Sequence, residues 1–231
     1  MDLGRIVNGV LVAAALASVQ LLLPVHAQEL RLLPVDEAAK DQSWMTFKNR
    51  LITALSKRDR KFVLSILDPN VRGGAESARG IPEFRKQWEL DSDASPLWQE
   101  LPAALFLGAA YVKHDKGPRE LCAPYVSVRW PQDIDAFAGG ALIAKEVFVK
   151  TAPSTASDTL ATLSYHLVEV RDWEVADRAA DSKQKWVRIR ISKGEGYVPE
   201  EQIRSPIEHT ACFAKGGNGW RLTGFGPGSG K

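Results

Sequence analysis

The chain has 231 residues, of which 45% are hydrophobic and 25% charged. That balance excludes wholesale disorder, collagen-like repeats and a disulfide-dense miniature fold, and it leaves room for one large domain or two small ones. A formal net charge of +2 is too slight a bias to predict a nucleic-acid partner.

Residues 1–27 read as an export signal. Arg5 supplies the positive start, residues 10–17 an apolar run, and Pro24 a break after Leu21, Leu22 and Leu23. Val25-His26-Ala27 then offers modest or small side chains to signal peptidase. Asn8, Ser18, Gln20 and Pro24 interrupt residues 6–25, which argues against an uncleaved anchor. The expectation is a periplasmic or secreted protein with no membrane attachment after cleavage. Its two cysteines, Cys122 and Cys212, are an even pair in an oxidising compartment and are expected to be bridged.

Residues 28–40, with Pro34 and mixed charges, read as a loose leader. A helix is predicted from about Ser43, because Trp44, Phe47, Leu51 and Leu55 recur at three and four residues and form one apolar stripe. Asp59 is placed to cap a second helix carrying Phe62, Val63, Ile66 and Leu67. Asp68-Pro69-Asn70 stops it, since the residue before a proline is pushed out of helical geometry. Residues 73–80 read as a loop. Pro82 suits the first turn of a third helix with Phe84 and Trp88 on one face. Ser95-Pro96 opens a fourth, bearing Leu97, Trp98, Leu101 and Leu105, with Pro102 inside it and Gly108 at its end. Helical spacing makes these aromatic residues core.

Beyond Gly108 the pattern turns to strands. Residues 109–113 form one, a turn at 114–117 follows, and a second extended run covers 121–130 with Tyr125, Val126 and Val128 before Pro131. Short strands and frequent turns then continue to Pro206, the habit of a small barrel. Residues 208–225 read as a last hairpin around Asn218-Gly219, with Phe213 and Trp220 as core anchors, and 226–231 as a flexible end.

Within this stretch Val147-Phe148-Val149-Lys150 with Ala152-Pro153-Ser154, then Trp186-Val187-Arg188-Ile189, then Gly194-Glu195-Gly196-Tyr197-Val198, and finally Ile203, follow one another in order. Together they resemble a bacterial SH3 domain over residues 140–206, with Phe148 and Lys150 as departures from its opening strand. The alternation of Val147 with Val149, and of Val187, Ile189 and Ile191, independently puts one face of each strand inside. Around it lie helices, a first pair of strands and a closing hairpin containing Phe213, Lys215 and Trp220. That element order is loosely similar to the NTF2-like or cystatin-like arrangement. The expected fold class is therefore α+β: helices packed on an antiparallel sheet, with an SH3-like barrel inserted before the last hairpin. The expected boundaries are 41–139 for the first part of the α+β domain, 140–206 for the barrel and 207–225 for the hairpin that completes the domain. The alternative is a helical domain, a barrel and an accessory hairpin in succession.

Candidate chemistry is sparse. Cys122 lacks the setting of a peptidase nucleophile, and a bridged cysteine has no thiolate to offer. His114, His166 and His209 show no metal-ligand spacing, and no G-x-S-x-G, H-E-x-x-H or G-x-x-x-x-G-K motif occurs. Asp133 and Asp135 read as solvated loop acids, and the basic groups 57–61 and 188–190 as solvated surface or a lure for an anionic wall polymer. No catalytic residue, metal or cofactor is predicted. What the resemblance implies is a non-enzymatic envelope protein whose SH3-like barrel binds peptide or peptidoglycan, with Trp173, Trp186 and Tyr197 as groove candidates because planar side chains give contact area at small entropy cost. Two alternatives stand beside it. One is an NTF2-like pocket, lined by groups such as Tyr111, Tyr125 or His209, that binds or acts on a small molecule. The other is a structural adaptor for another envelope protein.

Overall fold

The structure, a computed structural model, describes residues 30–74, 79–113, 119–179 and 181–228. The export segment 1–27, His114 and the last three residues of the chain lie outside the described residues.

The helices start where the sequence supplies caps. Asp41 accepts from the backbone N–H groups of Ser43 and Trp44 at 2.8 and 3.2 Å and opens α1, Gln42–Ser56. Asp59 accepts from Phe62 N–H at 3.0 Å and opens α2, Arg60–Ile66. The chain then runs straight into a strand that the sequence pattern does not announce, β1 (Leu67–Arg72), in which Pro69 and Asn70 are exposed. Helices α3 (Ile81–Gln87) and α4 (Leu97–Leu105) follow, Pro102 lying inside α4. Next come the short strands β2 (Ala110–Val112) and β3 (Glu120–Ala123).

The expected extended run 121–130 breaks after Ala123. Pro124 has no N–H for the ladder, Tyr125 N–H turns to Gly108 O at 3.1 Å, and Tyr125–Arg129 coils into the short helix α5. Seven strands come next: β4 (Gly139–Leu142), β5 (Val147–Lys150), β6 (Thr159–Leu163), β7 (Leu167–Ala176), β8 (Lys185–Ile191), β9 (Gly194–Pro199) and β10 (Ile203–Arg204). A hairpin of β11 (His209–Gly216) and β12 (Gly219–Pro227) closes the chain.

The fold is α+β with two sheets. The first has the order β1-β12-β11-β3-β2, with only β1 parallel to its neighbour. The second, antiparallel throughout, has the order β10-β4-β7-β8-β9-β5-β6. Its two end strands do not pair with each other, so no closed barrel forms among the described residues. All seven of its strands come from residues 139–204, and the chain returns to the first sheet only with the last hairpin. Strand β11 lies against β3 in the register Ala211↔Ala123, Cys212↔Cys122 and Phe213↔Leu121, and Cys122 and Cys212 form a disulfide across that pair. Entry and exit of the seven-stranded unit are neighbours, Ile203 facing Leu142 and Arg204 facing Ala141, so its chain ends meet at one edge.

Three apolar clusters hold this together. Helices α1 to α4 cover one face of the first sheet, where Trp44 lies 5.1 Å from Phe213 and 5.0 Å from Trp220, and Trp88 stacks on Phe225 at 4.4 Å. Val147, Val149, Val187, Ile189, Val198 and Ile203 fill the interior of the second sheet, as strand alternation requires. Leu32, Tyr125, Val126, Trp130 and Ala141 form a third cluster between α5 and β4, which joins the two halves.

That third cluster corrects the reading of residues 28–40 as a loose leader. The described part is a strap: Leu32 N–H donates to Tyr165 O and Leu167 N–H to Leu30 O, both at 2.8 Å, on the second sheet. Further along, Glu37 N–H donates to Ala109 O at 2.9 Å beside the first sheet. Gly108 makes the crossing possible. Its φ is +73°, and an added Cβ would lie 2.4 Å from Val35 O. The C-terminal reading is corrected too, since Gly226 and Pro227 belong to β12 and Gly228 N–H donates to Ile207 O at 3.0 Å. Backbone pairing with distant parts of the chain, which local composition does not show, orders both segments.

Candidate functional site

The three aromatic residues singled out above sit on adjacent strands but not on one surface. Trp186 on β8 is 1% exposed, and its indole N–H donates to Asp177 Oδ2 at 2.8 Å. Tyr197 on β9 is half-buried and pairs with Arg188. Since Val187 and Ile189 point inward, Trp186, Arg188 and Tyr197 share the outer face. Register shifts at Asp172 and Val175 interrupt β7 and turn Trp173 the other way, against the interior of the second sheet. Among the described residues no ring contact joins the three.

Trp173 also lines a cleft of about 1150 Å³ where the second sheet meets α4 and the approach to β11. One wall is the end of α4 with Glu100 and Phe106, and the other is β7 and the turn into β8 with Trp173, Glu174 and Lys185. The floor comes from the 3-10 turn Glu200–Gln202, β10 and the link to β11.

The charges in this cleft are interlocked. Arg204, only 12% exposed at its side chain, pairs with Glu208 and donates to His209 O at 3.2 Å. His209 Nδ1 lies 2.9 Å from Glu100 Oε2, with its ring edge-on to Trp88 at 5.1 Å. Lys185 pairs with Glu174 at 3.0 Å, and Gln184 donates to Glu201 Oε2 at 2.7 Å. Glu200 is different. Burial pushes its carboxyl above the ordinary range, and Glu174, Glu208 and Glu201 push the same way against the opposing pull of Lys185. A cleft with an aromatic wall, five glutamates and the cations Lys183, Lys185 and Arg204 can hold a guest that carries both an amine and carboxylates.

Between α1 to α4 and the first sheet, Trp44, Phe84, Trp88, Phe213, Trp220 and Phe225 are buried in one packed cluster. Of the residues named for such a pocket, Tyr125 is buried in the third cluster with its phenol pushed up to about 12 by burial. Tyr111 lies under the Arg119 guanidinium at 3.6 Å, and His209 belongs to the cleft. His166 is buried, its Nδ1 accepting from Ser164 N–H at 3.0 Å. On the far face of the first sheet Arg72 donates to both carboxylate oxygens of buried Glu120, at 2.9 and 2.8 Å. Glu120, Cys122 and Cys212 are the one cluster of metal-ligand types among the described residues, and both of its sulfurs are spent in the disulfide.

Comparison with protein-family models, with curated proteins and with solved structures finds no match for this chain. Sequence reasoning missed the Glu100–His209 and Arg204–Glu208 pairs as a site. The first joins residues 109 apart on a helix and a strand, and no local pattern announces it. The acidic Glu200-Glu201 step with Arg204 close behind was the one legible sign. Among the described residues no helix is long and apolar enough to cross a membrane.

Proposed function

We propose that this is a non-enzymatic, exported envelope protein whose SH3-like seven-stranded unit binds a peptide of the peptidoglycan-stem class in the cleft beside Trp173. The observation that carries this reading is the cleft itself: about 1150 Å³, walled by Trp173 and exposed Phe106, with five glutamates and the cations Lys183, Lys185 and Arg204 in its lining. A stem peptide presents carboxylates and an amine along one extended chain, and that pattern suits such a lining. The Cys122–Cys212 disulfide supports export, since such bonds persist in oxidising compartments. The helical half is read as NTF2-like, and its ring-filled interior favours an interaction role over a small-molecule pocket or an active site. The test is sedimentation of the purified protein with purified peptidoglycan. Retention that falls at least fivefold in Trp173→Ala, with the melting transition kept, is the expected result. No retention, or retention indifferent to Trp173→Ala and Glu200→Gln, would overturn the reading.

The adaptor alternative draws on Phe137 and Phe148, exposed at 73% and 55% outside the cleft. Capture of an envelope protein that depends on Phe148, together with no peptidoglycan retention, would favour it.

A further inference from the structure

A second hollow, of about 590 Å³, shares no residue with the cleft. It lies where α1 and α2 meet the tip of the last hairpin. Its volume falls within the range of small-molecule sites, about 300–1000 Å³. Arg50, Lys215 and Arg221 line it, and among the described residues no carboxylate does. Phe47, Phe62 and Trp220 contribute aromatic surface.

The cations are incompletely used by the protein. Arg50 lies over the Phe62 ring at 5.5 Å, and no carboxylate among the described residues comes within ion-pair distance of it. Arg221 spends Nη1 on Leu67 O at 3.0 Å and, among the described residues, has no carboxylate partner. Lys215 stands 5.9 Å from the Trp220 ring centre and 3.7 Å from Asp41 Oδ2. Asp41, however, is committed to α1: it accepts from Ser43 Oγ–H at 2.7 Å and from the first backbone N–H groups, and those bonds hold its carboxyl below the usual range. Ser43 in turn accepts from the Trp220 indole N–H at 3.1 Å. Two guanidinium groups and an ammonium therefore line one hollow, and among the described residues the carboxylate at its border is that of Asp41, which holds the helix with Oδ1 and faces Lys215 with Oδ2.

We propose that this hollow is a binding site for an amphipathic phosphate: a phosphate ester whose apolar or planar body rests on Trp220 and Phe62 while Arg50, Arg221 and Lys215 hold the anion. A phosphate monoester carries about −1.5 to −2 charges and three acceptor oxygens, and guanidinium groups match that geometry in forked hydrogen bonds. The aromatic surface distinguishes such an ester from inorganic phosphate, because burying a flat body adds an apolar contribution that a bare ion lacks. The same chemistry arises on a soluble ester and on a lipid headgroup.

The test uses the purified protein, phenyl phosphate, inorganic phosphate and phenol, with the Trp220 indole N–H resonance as the local reporter. Phenyl phosphate should shift that resonance and bind at least tenfold more tightly than either of the others. Arg50→Gln should weaken it at least fivefold, and Arg50→Glu should abolish it; Arg50 is exposed and its replacement leaves the core intact. Binding should also weaken as salt rises. Equal affinity for phenyl phosphate and inorganic phosphate, an unmoved Trp220 resonance, or an affinity unchanged in Arg50→Glu would overturn the proposal. Sedimentation with vesicles containing phosphatidic acid, whose headgroup is a phosphate monoester, but not with phosphatidylcholine vesicles, lost in Arg50→Glu, assigns the phosphate to a lipid. Phenyl phosphate binding without vesicle retention assigns it to a soluble ester.

Discussion

Removing the disulfide by the double substitution Cys122→Ala and Cys212→Ala tests how the two sheets depend on each other. The bridge closes a sequence separation of 90 residues. With the whole chain unfolded at once, loop-closure entropy makes it worth about 4.6 kcal/mol. The loop, however, contains the entire seven-stranded unit, and Ala141 and Arg204 are partners at its edge. If that unit stays folded while the first sheet opens, only 122–141 and 204–212 remain loose. The bridge then closes about 28 residues and is worth about 3.6 kcal/mol. Urea unfolding of the oxidised protein and the double variant, followed by far-ultraviolet circular dichroism and tryptophan fluorescence, separates the cases. One transition losing about 4.6 kcal/mol means that the sheets unfold together, and an early transition losing about 3.6 kcal/mol means that the second sheet outlasts the first. In a chain of this size the melting temperature should drop by about 7 to 18 °C across the two cases. Deleting buried Cys122 sulfur adds to the loss and cannot hide it. A loss below about 1 kcal/mol would refute the reasoning, because β11 would then find β3 without help from the bridge.

Three further outcomes follow from the same geometry. Phe213→Ala removes a fully buried ring packed against Trp44 and Phe47 and should cost about 3–5 kcal/mol in urea unfolding. Glu37 is held below the ordinary carboxylate value chiefly by the Tyr111 N–H, and further by Arg129. Its contribution is complete above about pH 4.5 and is lost as pH falls through the depressed folded value, so Glu37→Gln should flatten the acid limb of stability against pH. Glu200 has the opposite sign: its folded value is raised, so its ionisation opposes folding as pH rises past 4.5. Glu200→Gln should therefore raise the melting temperature at pH 7 and leave it unchanged at pH 3, and a loss of stability at pH 7 would contradict the burial argument.

Much of the helical half was legible because its determinants are local. Asp41 and Asp59 cap the helices that the Trp44–Leu55 and Phe62–Leu67 periodicities predict, and Phe84, Trp88, Leu97, Trp98 and Leu101 are core as their spacing requires. The inward alternation of Val147, Val149, Val187 and Ile189 was legible for the same reason. Other features were hidden because their cause lies far along the chain. Leu67–Arg72 becomes a strand despite Pro69 because β12 offers it a parallel edge. Tyr125 and Val126 have strand propensity, yet they coil because Pro124 ends the ladder and Gly108 takes the Tyr125 N–H. The strap at residues 30–40 has a loop's composition, and backbone bonds from both sheets order it.

Caps and stripes, each written within a few neighbouring residues, determined many of the elements and their inward faces, and the even cysteine count alone gave the expectation of a bridge between residues 90 apart. The meeting of β11 with β3 around a whole sheet, the opposite facing of Trp173 and Trp186, and the assembly of Glu100, Glu200, Arg204 and His209 at one cleft were decided only in three dimensions. Periodicity states which face of an element is apolar. It carries no information about which distant element will cover that face, because that choice is settled by pairing and packing over the whole molecule.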